Sequence, residues 1–158
     1  MSEKIKSEIH KWQLILLGLI IVFAIVLKLY NVFYWPTATI KVNNQVFKVL
    51  VANSEKHWQK GLGGRKDLGK YDGMLFVFPN QAQHIFVMRD MKFPLDIIWF
   101  NKGTVVDKAQ NLPIEPGVTE EELVQYPARD ISDRVLEISA GSALKYNLNI
   151  GDNLEVLK

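Results

Sequence analysis

The ionisable side chains best placed to do chemistry lie inside an apolar stretch, HIFVMRDMKFPLDIIWFN at positions 84–101. Arg89, Asp90 and Asp96 stand there among methionines and aromatic residues. Side chains alternate between the two faces of a strand, so Asp90 and Asp96 each share a face with large apolar groups. A carboxylate in such surroundings is paired or neutral, because an unpaired buried charge costs several kcal/mol. The stretch therefore predicts a structural carboxylate or a ligand site.

Two interpretations of Asp96 remain open at this point. In the structural one, it accepts backbone N–H bonds from the turn at 93–94, or pairs with Arg65 or Arg89, and holds the turn in shape. In the functional one, it projects into a cleft beside Arg89 and Asp90 as an orienting or acid–base group. The structural interpretation is favoured, because a buried ion pair shifts pKa values even where it has no catalytic purpose.

Familiar catalytic and metal-binding patterns are missing from the sequence. The three histidines, His10, His57 and His84, show no H-x-x-x-H spacing, and there is no cysteine, so neither a zinc site nor a cofactor is predicted. A G-x-S-x-G motif is absent, and Ser139 is expected to cap a helix. No catalytic residue is predicted.

The glycine-rich run GLGGR at 61–65 has neither the spacing of a P-loop nor that of a dinucleotide fingerprint. Its glycines are expected to end a short helix. Arg65 is kept as a cation that could face a ligand.

Short alternating runs separated by Gly, Pro and Asn predict the elements that position these residues. We expect a mainly β domain, a small barrel or sandwich with two or three short helices. Helices are expected from Asn53 or Ser54 to 61–64, from the Thr119 capping box, and within 139–148, whereas 107–133 is expected to form a lid or binding loop. The predicted strands are 38–42, 45–52, 73–79, 84–88, 95–100, 104–109, 134–138 and 153–157.

An apolar run without charged residues occupies positions 14–27, and with its flanks the segment 12–35 is long enough to span a bilayer. At about 1.5 Å per residue it would reach roughly 35 Å, against a hydrocarbon core of about 30 Å. A cleaved signal peptide has a similar composition, but no A-x-A-like site follows closely, so a retained anchor is favoured. Aromatic residues suited to the two interfaces lie at its ends: Trp12, and then Tyr30, Phe33, Tyr34 and Trp35.

Charge predicts the orientation and excludes one class of partner. Lysines 4, 6 and 11 precede the span and favour a cytoplasmic N-terminus. We therefore expect a cytoplasmic segment 1–11, an anchor 12–35 in the cell membrane, and an extracytoplasmic domain 36–158. The whole formal charge of +2 comes from the first 35 residues (4 lysines minus 2 glutamates), and a neutral domain does not predict nucleic-acid binding.

From about Lys60 onward the chain resembles the domain-of-unknown-function 192 family. The resemblance is carried, in order, by GLGGR (61–65), GMLFVF (73–78), FVMRDM (86–91), FPLDIIWF (93–100), VLEISAG (135–141) and NIGD (149–152). It implies a compact, mainly β fold, often behind a signal peptide or anchor in prokaryotes, and no established reaction. The family's central motif is close to FWMKNM, so Val87, Arg89 and Asp90 depart from it.

Three functions compete. The first is an anchored binding or accessory module of the cell envelope, taking an envelope glycan, peptide or protein. The second is an envelope hydrolase that uses Asp90 and Asp96 as a carboxylate pair. The third is a structural docking partner of another envelope protein, for which a large exposed apolar patch without a concave pocket would be the mark. The expected ligand-binding residues are Arg65, Met88, Arg89, Asp90, Asp96 and Trp99.

Overall fold

A computed structural model describes the backbone of residues 2–158 and the side chains of residues 11–30 and 34–158. The described side chains do not include those of Lys4, Lys6 and Phe33, on which part of the predicted anchor and its orientation rested, nor that of His10. The chain divides into two compact units, residues 1–34 and 35–158. Each unit is described by itself.

The first unit is a single helix, α1 (Ser2–Phe33). Its apolar part, Lys11–Tyr30, is 20 residues long with a mean hydropathy of 2.5, and none of it is buried against protein. Length and composition therefore suffice to cross a membrane. A signal sequence near an N-terminus has the same properties, so the helix confirms the predicted apolar segment but not its retention or orientation.

The second unit is mainly β, as predicted. Seven strands form one sheet in the order β6-β5-β8-β3-β2-β1-β9, and β4 pairs with β7 in a separate ribbon. The strands are β1 (Thr37–Val42), β2 (Gln45–Ala52), β3 (Gly73–Ala82), β4 (Ile85–Phe86), β5 (Leu95–Asn101), β6 (Thr104–Leu112), β7 (Tyr126–Pro127), β8 (Ser132–Ser139) and β9 (Leu154–Val156). Short helices are α2 (Glu55–Lys60), a 3-10 turn (Glu120–Glu122) and α3 (Ser142–Lys145).

Local turn chemistry explains the predicted hairpins. Asn43 has a positive φ of 53° in the β1–β2 turn, a conformation that asparagine tolerates better than most residues. Lys102 and Gly103 also have positive φ values, 50° and 87°, in the turn between β5 and β6. The predicted Thr119–Glu122 capping box is present.

The sheet curls into a half-barrel. The outer ends approach each other, because the backbone N–H of Val105 in β6 donates to the carbonyl of Asp152, and that of Gly151 donates back to Val105. The one parallel pairing, β2 with β3, is made possible by the crossover through α2. The curl gives the sheet a concave face and a convex face.

Each face of the sheet has its own apolar core. Ile98, Phe100, Leu136 and their neighbours form the inner core, which α3 closes through Ala143. Residues on the alternate positions form the outer core, covered by α2 and by the segment 84–91. Period-two alternation therefore sends neighbouring residues of β5 and β8 to different cores.

Three local expectations were wrong. The strand expected at 84–88 is only Ile85–Phe86, because the chain turns after it and Asp90 adopts a positive φ of 54°. The segment 107–133 is more regular than expected, since β6 continues to Leu112. Ser139 ends β8 and does not cap the last helix, which is preceded by Gly141 at a φ of 81°.

Candidate ligand-binding pocket

A cavity of about 300 Å³ lies on the outer face of the sheet, between α2, β3 and the segment around β4. We call it the aromatic pocket. Rings and other apolar groups form most of its wall: Trp58, Leu62, Phe76, Phe78, Ile85, Phe86, Val87 and Met91. Its ionisable groups are Glu55, Lys60, His84, Arg89 and Glu137.

The aromatic wall is held by ring packing. Phe76 meets Phe86 edge to face at a centroid distance of 4.9 Å, and Phe78 lies between Trp58 at 5.1 Å and His84 at 3.6 Å. The Trp58 indole N–H donates to the carbonyl of Ala52 at 2.9 Å, which fixes the ring against the end of β2. The rings therefore form a pre-organised wall.

Glu137 lies at the inner end of the pocket. It is in the middle of β8, paired on either side with Met74 of β3 and Ile97 of β5, and only 5% of its surface is exposed. Its Oε2 has no hydrogen-bond partner within the described part of the chain. Burial raises the pKa of Glu137 to about 8, so the carboxyl is mostly protonated at neutral pH.

Close strand packing brings Glu137 to this place. A Cβ on Gly73 would lie 2.2 Å from the carbonyl oxygen of Glu137, so only glycine permits β3 to approach β8 here. Sequence reasoning missed Glu137 because a single acid in RVLEI resembles the solvent-facing residue of a half-buried strand. The available signal was the continuous apolar run in both adjacent strands, β3 and β5, which indicates a sheet covered on both faces.

The remaining ionisable groups of the pocket are more exposed than Glu137. Arg89 pairs with Glu120 through two nitrogen atoms and also donates to the carbonyl of Gln59 at 3.2 Å. The hydrogen bond from Arg89 lowers the pKa of Glu120. Burial lowers the pKa of His84, so its ring is neutral at pH 7. Lys60 and Glu55 are both exposed on α2.

The structure places Asp96 away from this pocket. It is completely buried on the inner face of β5, where Oδ1 accepts the backbone N–H of Asn111 and Oδ2 that of Ala143, each at 2.8 Å. These are backbone donors, as the structural interpretation expected. They come from the end of β6 and the start of α3, and not from the turn at 93–94, Arg65 or Arg89.

The other expected ligand-binding residues are dispersed. Met88 and Trp99 are buried in the outer core and do not line the aromatic pocket, whereas Arg65 lies over the ring of Trp35 at 5.3 Å. Asp90 is exposed, and its carbonyl accepts the N–H of Gly64 at 2.9 Å. Of the six expected residues, only Arg89 lines the aromatic pocket.

A second, more polar depression lies beside the first, where Arg89 and Asp90 face the segment 114–123. The expected loop thus contributes a rim to this depression and, through Glu120, a partner to Arg89. No cluster of three or more histidine, aspartate or glutamate side chains suited to a metal occurs among the residues whose side chains are described.

Comparisons with known proteins agree with the fold. The family model DUF192, described as "Uncharacterized ACR", matches residues 38–156. A crystal structure of a protein from Sinorhizobium meliloti 1021, provisionally described as a transcription regulator, is similar with a TM-score of 0.69 and 22% identity, covering 77% of this chain and 95% of that one. A protein of unknown function from Novosphingobium aromaticivorans DSM 12444 gives a TM-score of 0.65 and 29% identity, over 75% and 84% of the two chains. No curated protein matches the chain.

Proposed function

We propose that the β domain of this chain, which belongs to the DUF192 family, is a ligand-binding module with the aromatic pocket as its binding site. The observation that carries the proposal is the pre-organised cavity, at whose inner end Oε2 of Glu137 has no hydrogen-bond partner among the described residues. Concave, mostly apolar cavities with few convergent polar groups are the usual form of small-molecule sites.

We place the module outside the cytoplasm, attached to the cell membrane by the segment 12–35, with residues 1–11 inside. The support is the length and hydropathy of α1 together with the lysines before its apolar part. An envelope glycan, peptide or protein segment would then be the natural source of a ligand.

The hydrolase alternative has less support. A carboxylate pair must face one reacting bond, but Asp96 lies buried in the inner core and Asp90 lies exposed in a turn on the outer side. Both oxygen atoms of Asp96 already accept backbone hydrogen bonds. The docking alternative predicts a large exposed apolar patch without a concave pocket. The aromatic pocket is concave, so it supports the binding module over the docking alternative.

Val87 offers a test of the binding site. It lines the pocket and is half-buried, so Val87→Trp would fill part of the cavity. Full-length protein in a nonionic detergent would be screened by thermal unfolding against small aromatic compounds, short peptides and envelope glycans. A ligand that binds the folded state raises the unfolding midpoint of the wild type.

Val46→Trp is the matched control, because Val46 is exposed on β2 and does not line the pocket. We expect the ligand-induced rise to persist in Val46→Trp and to disappear in Val87→Trp. A rise that survives in the Val87 variant, or a screen in which nothing binds the wild type, would contradict the proposal.

A further inference from the structure

We propose that the aromatic pocket binds an organic cation, an ammonium or guanidinium group carried on an apolar stem, with the Glu137 carboxylate as its counter-ion. The inference rests on the proposed binding function and adds the chemical class of the ligand.

Glu137 is the first support, because it is a buried acid that the fold itself does not use. Its Oε2 is unpartnered in the described part of the chain, and its side chain lines the cavity. Asp96, a buried acid in the neighbouring strand β5, shows the contrast, since both of its oxygens accept hydrogen bonds. A buried acceptor without a partner is costly, so its retention at the inner end of a cavity points to a partner supplied from outside.

The aromatic wall is the second support. The negative face of a ring attracts a cation within about 6 Å of its centroid, and the effect is larger when water is excluded. Trp58, Phe76, Phe78 and Phe86 all line the same cavity as Glu137. An ammonium group at the carboxylate would therefore have rings as its other neighbours, while an anion there would meet the negative faces of those rings.

The other charged groups facing the cavity do not counter this assignment. Arg89 is already paired with Glu120, and burial keeps His84 neutral at pH 7. Lys60 and Glu55 are both exposed on α2, and their opposite charges cancel. Met74 and Ile97, the cross-strand neighbours of Glu137, carry no charge. Glu137 is thus the acid that a cation reaching the inner end would meet.

Binding of a cation would release a proton. In the free protein at pH 7 Glu137 is mostly a neutral acid, because its pKa is about 8. The cation favours the carboxylate, so the O–H bond of the acid breaks, the proton leaves to solvent, and an ion pair remains. Affinity should rise by about tenfold per pH unit up to pH 8 and then level off while the ligand stays protonated.

The test uses three probes of one shape: phenethylammonium, 2-phenylethanol and phenylacetamide. Binding to full-length protein in nonionic detergent would be followed by the NMR shift of the Trp58 indole N–H between pH 6 and pH 9, with proton release measured by calorimetry in two buffers. We expect the cation to bind most tightly, to gain about tenfold affinity per pH unit below pH 8, and to release close to one proton at pH 6. The alcohol and the amide should show weaker, pH-independent binding.

Glu137→Gln keeps the shape of the side chain and should lose the preference for the cation, whereas Glu155→Gln, on exposed β9, should keep it. Equal binding of the cation and the alcohol, tightest binding of the amide, or an unchanged preference in Glu137→Gln would overturn the cation assignment. If the alcohol still binds the wild type and Val87→Trp abolishes that binding, the binding module stands without this assignment. If no probe binds, the cation assignment fails, and the wider ligand screen alone decides on the module.

Discussion

Asp96 in β5 and Ala143 in α3 are joined by a hydrogen bond of 2.8 Å from the backbone N–H of Ala143 to Oδ2. The bond attaches the last helix to the start of β5. Since the other oxygen of Asp96 accepts the N–H of Asn111, one carboxylate connects three elements. Asp96 therefore connects the elements around the inner core, an arrangement that the structural interpretation predicts.

Replacing this carboxylate should reduce stability without affecting the pocket. Asp96→Asn leaves one acceptor oxygen for two donors, and an unsatisfied buried N–H costs about 1–3 kcal/mol. We expect a loss of that size in the free energy of unfolding, measured with urea. Asp90→Asn is the control, because Asp90 is exposed with a positive φ that asparagine also accepts. Equal losses in the two variants would contradict the structural role.

Glu137 should make the domain less stable as pH rises. Its pKa is about 8 in the folded state and near 4.5 in the unfolded chain, so the folded state holds the proton more tightly. Its contribution is fully present below about pH 4.5 and is lost as pH rises to 8, at about 1.4 kcal/mol per pH unit. Glu137→Gln should remove this dependence and be the more stable protein at pH 8.

The measurement for Glu137 is urea unfolding at pH 5, 6, 7 and 8, with Glu155→Gln as a control for general charge effects. The two curves, wild type and Glu137→Gln, should diverge steadily toward high pH. Parallel curves would show that the pKa of Glu137 is the same in the folded and unfolded states. Solvent in the cavity would then have to hydrate the carboxylate.

Gly73→Ala should prevent the sheet from closing. The added Cβ would approach the carbonyl oxygen of Glu137 to 2.2 Å, and also the Cγ2 of Ile138 to 2.8 Å, so β3 and β8 must separate. Overpacking of this kind costs about 1–3 kcal/mol or more. Gly18→Ala in α1 is the control for the substitution itself, because outside the local helix backbone no atom lies within 4 Å of its added Cβ. Native-like amide spectra from Gly73→Ala would refute the close approach.

The proposed membrane orientation can be tested directly because the chain has no cysteine. Asn44→Cys would place a thiol in the exposed β1–β2 turn, and Ser7→Cys would place one before the apolar segment. A maleimide that cannot cross membranes should label only Asn44→Cys in intact cells, and both after permeabilisation. Labelling of Ser7→Cys alone would reverse the orientation, and loss of the N-terminal residues from the membrane-bound protein would show a cleaved signal sequence.

Trp35 and Pro36 should stabilise the start of the folded domain. The ring of Trp35 stacks on that of His57 at 4.2 Å, and the carbonyl of Pro36 accepts the N–H of Val51 at 2.7 Å. A fragment 35–158 should therefore fold with a higher unfolding midpoint than a fragment 37–158, which lacks both contacts. Identical midpoints in a calorimetric scan would place the start of the domain at β1 itself.

Most of the fold could be predicted from the sequence because its signals are local. Alternation and turn residues such as Asn43 and Gly103 locate the hairpins, and period two correctly put Asp96 on one face of β5. The pocket could not be predicted, since it depends on contacts distant in sequence. Glu137 lies between β3 and β5 on a face of the sheet that α2 and the segment 84–91 cover, and the turn at Asp90 is shaped by the glycines at 61–64, against which it packs.

The pairing of β1 with β9 carries a kinetic consequence. Val42 aligns with Leu154, and Ile40 with Val156, so the first strand of the domain receives its outer neighbour only after nearly the whole domain has been synthesised. Contacts between such distant segments slow folding, because the chain between them loses conformational entropy before the strand pairing stabilises the fold. During that interval the β1–β2 hairpin has an unprotected edge, and the nascent chain would be most open to aggregation or to a chaperone at that edge.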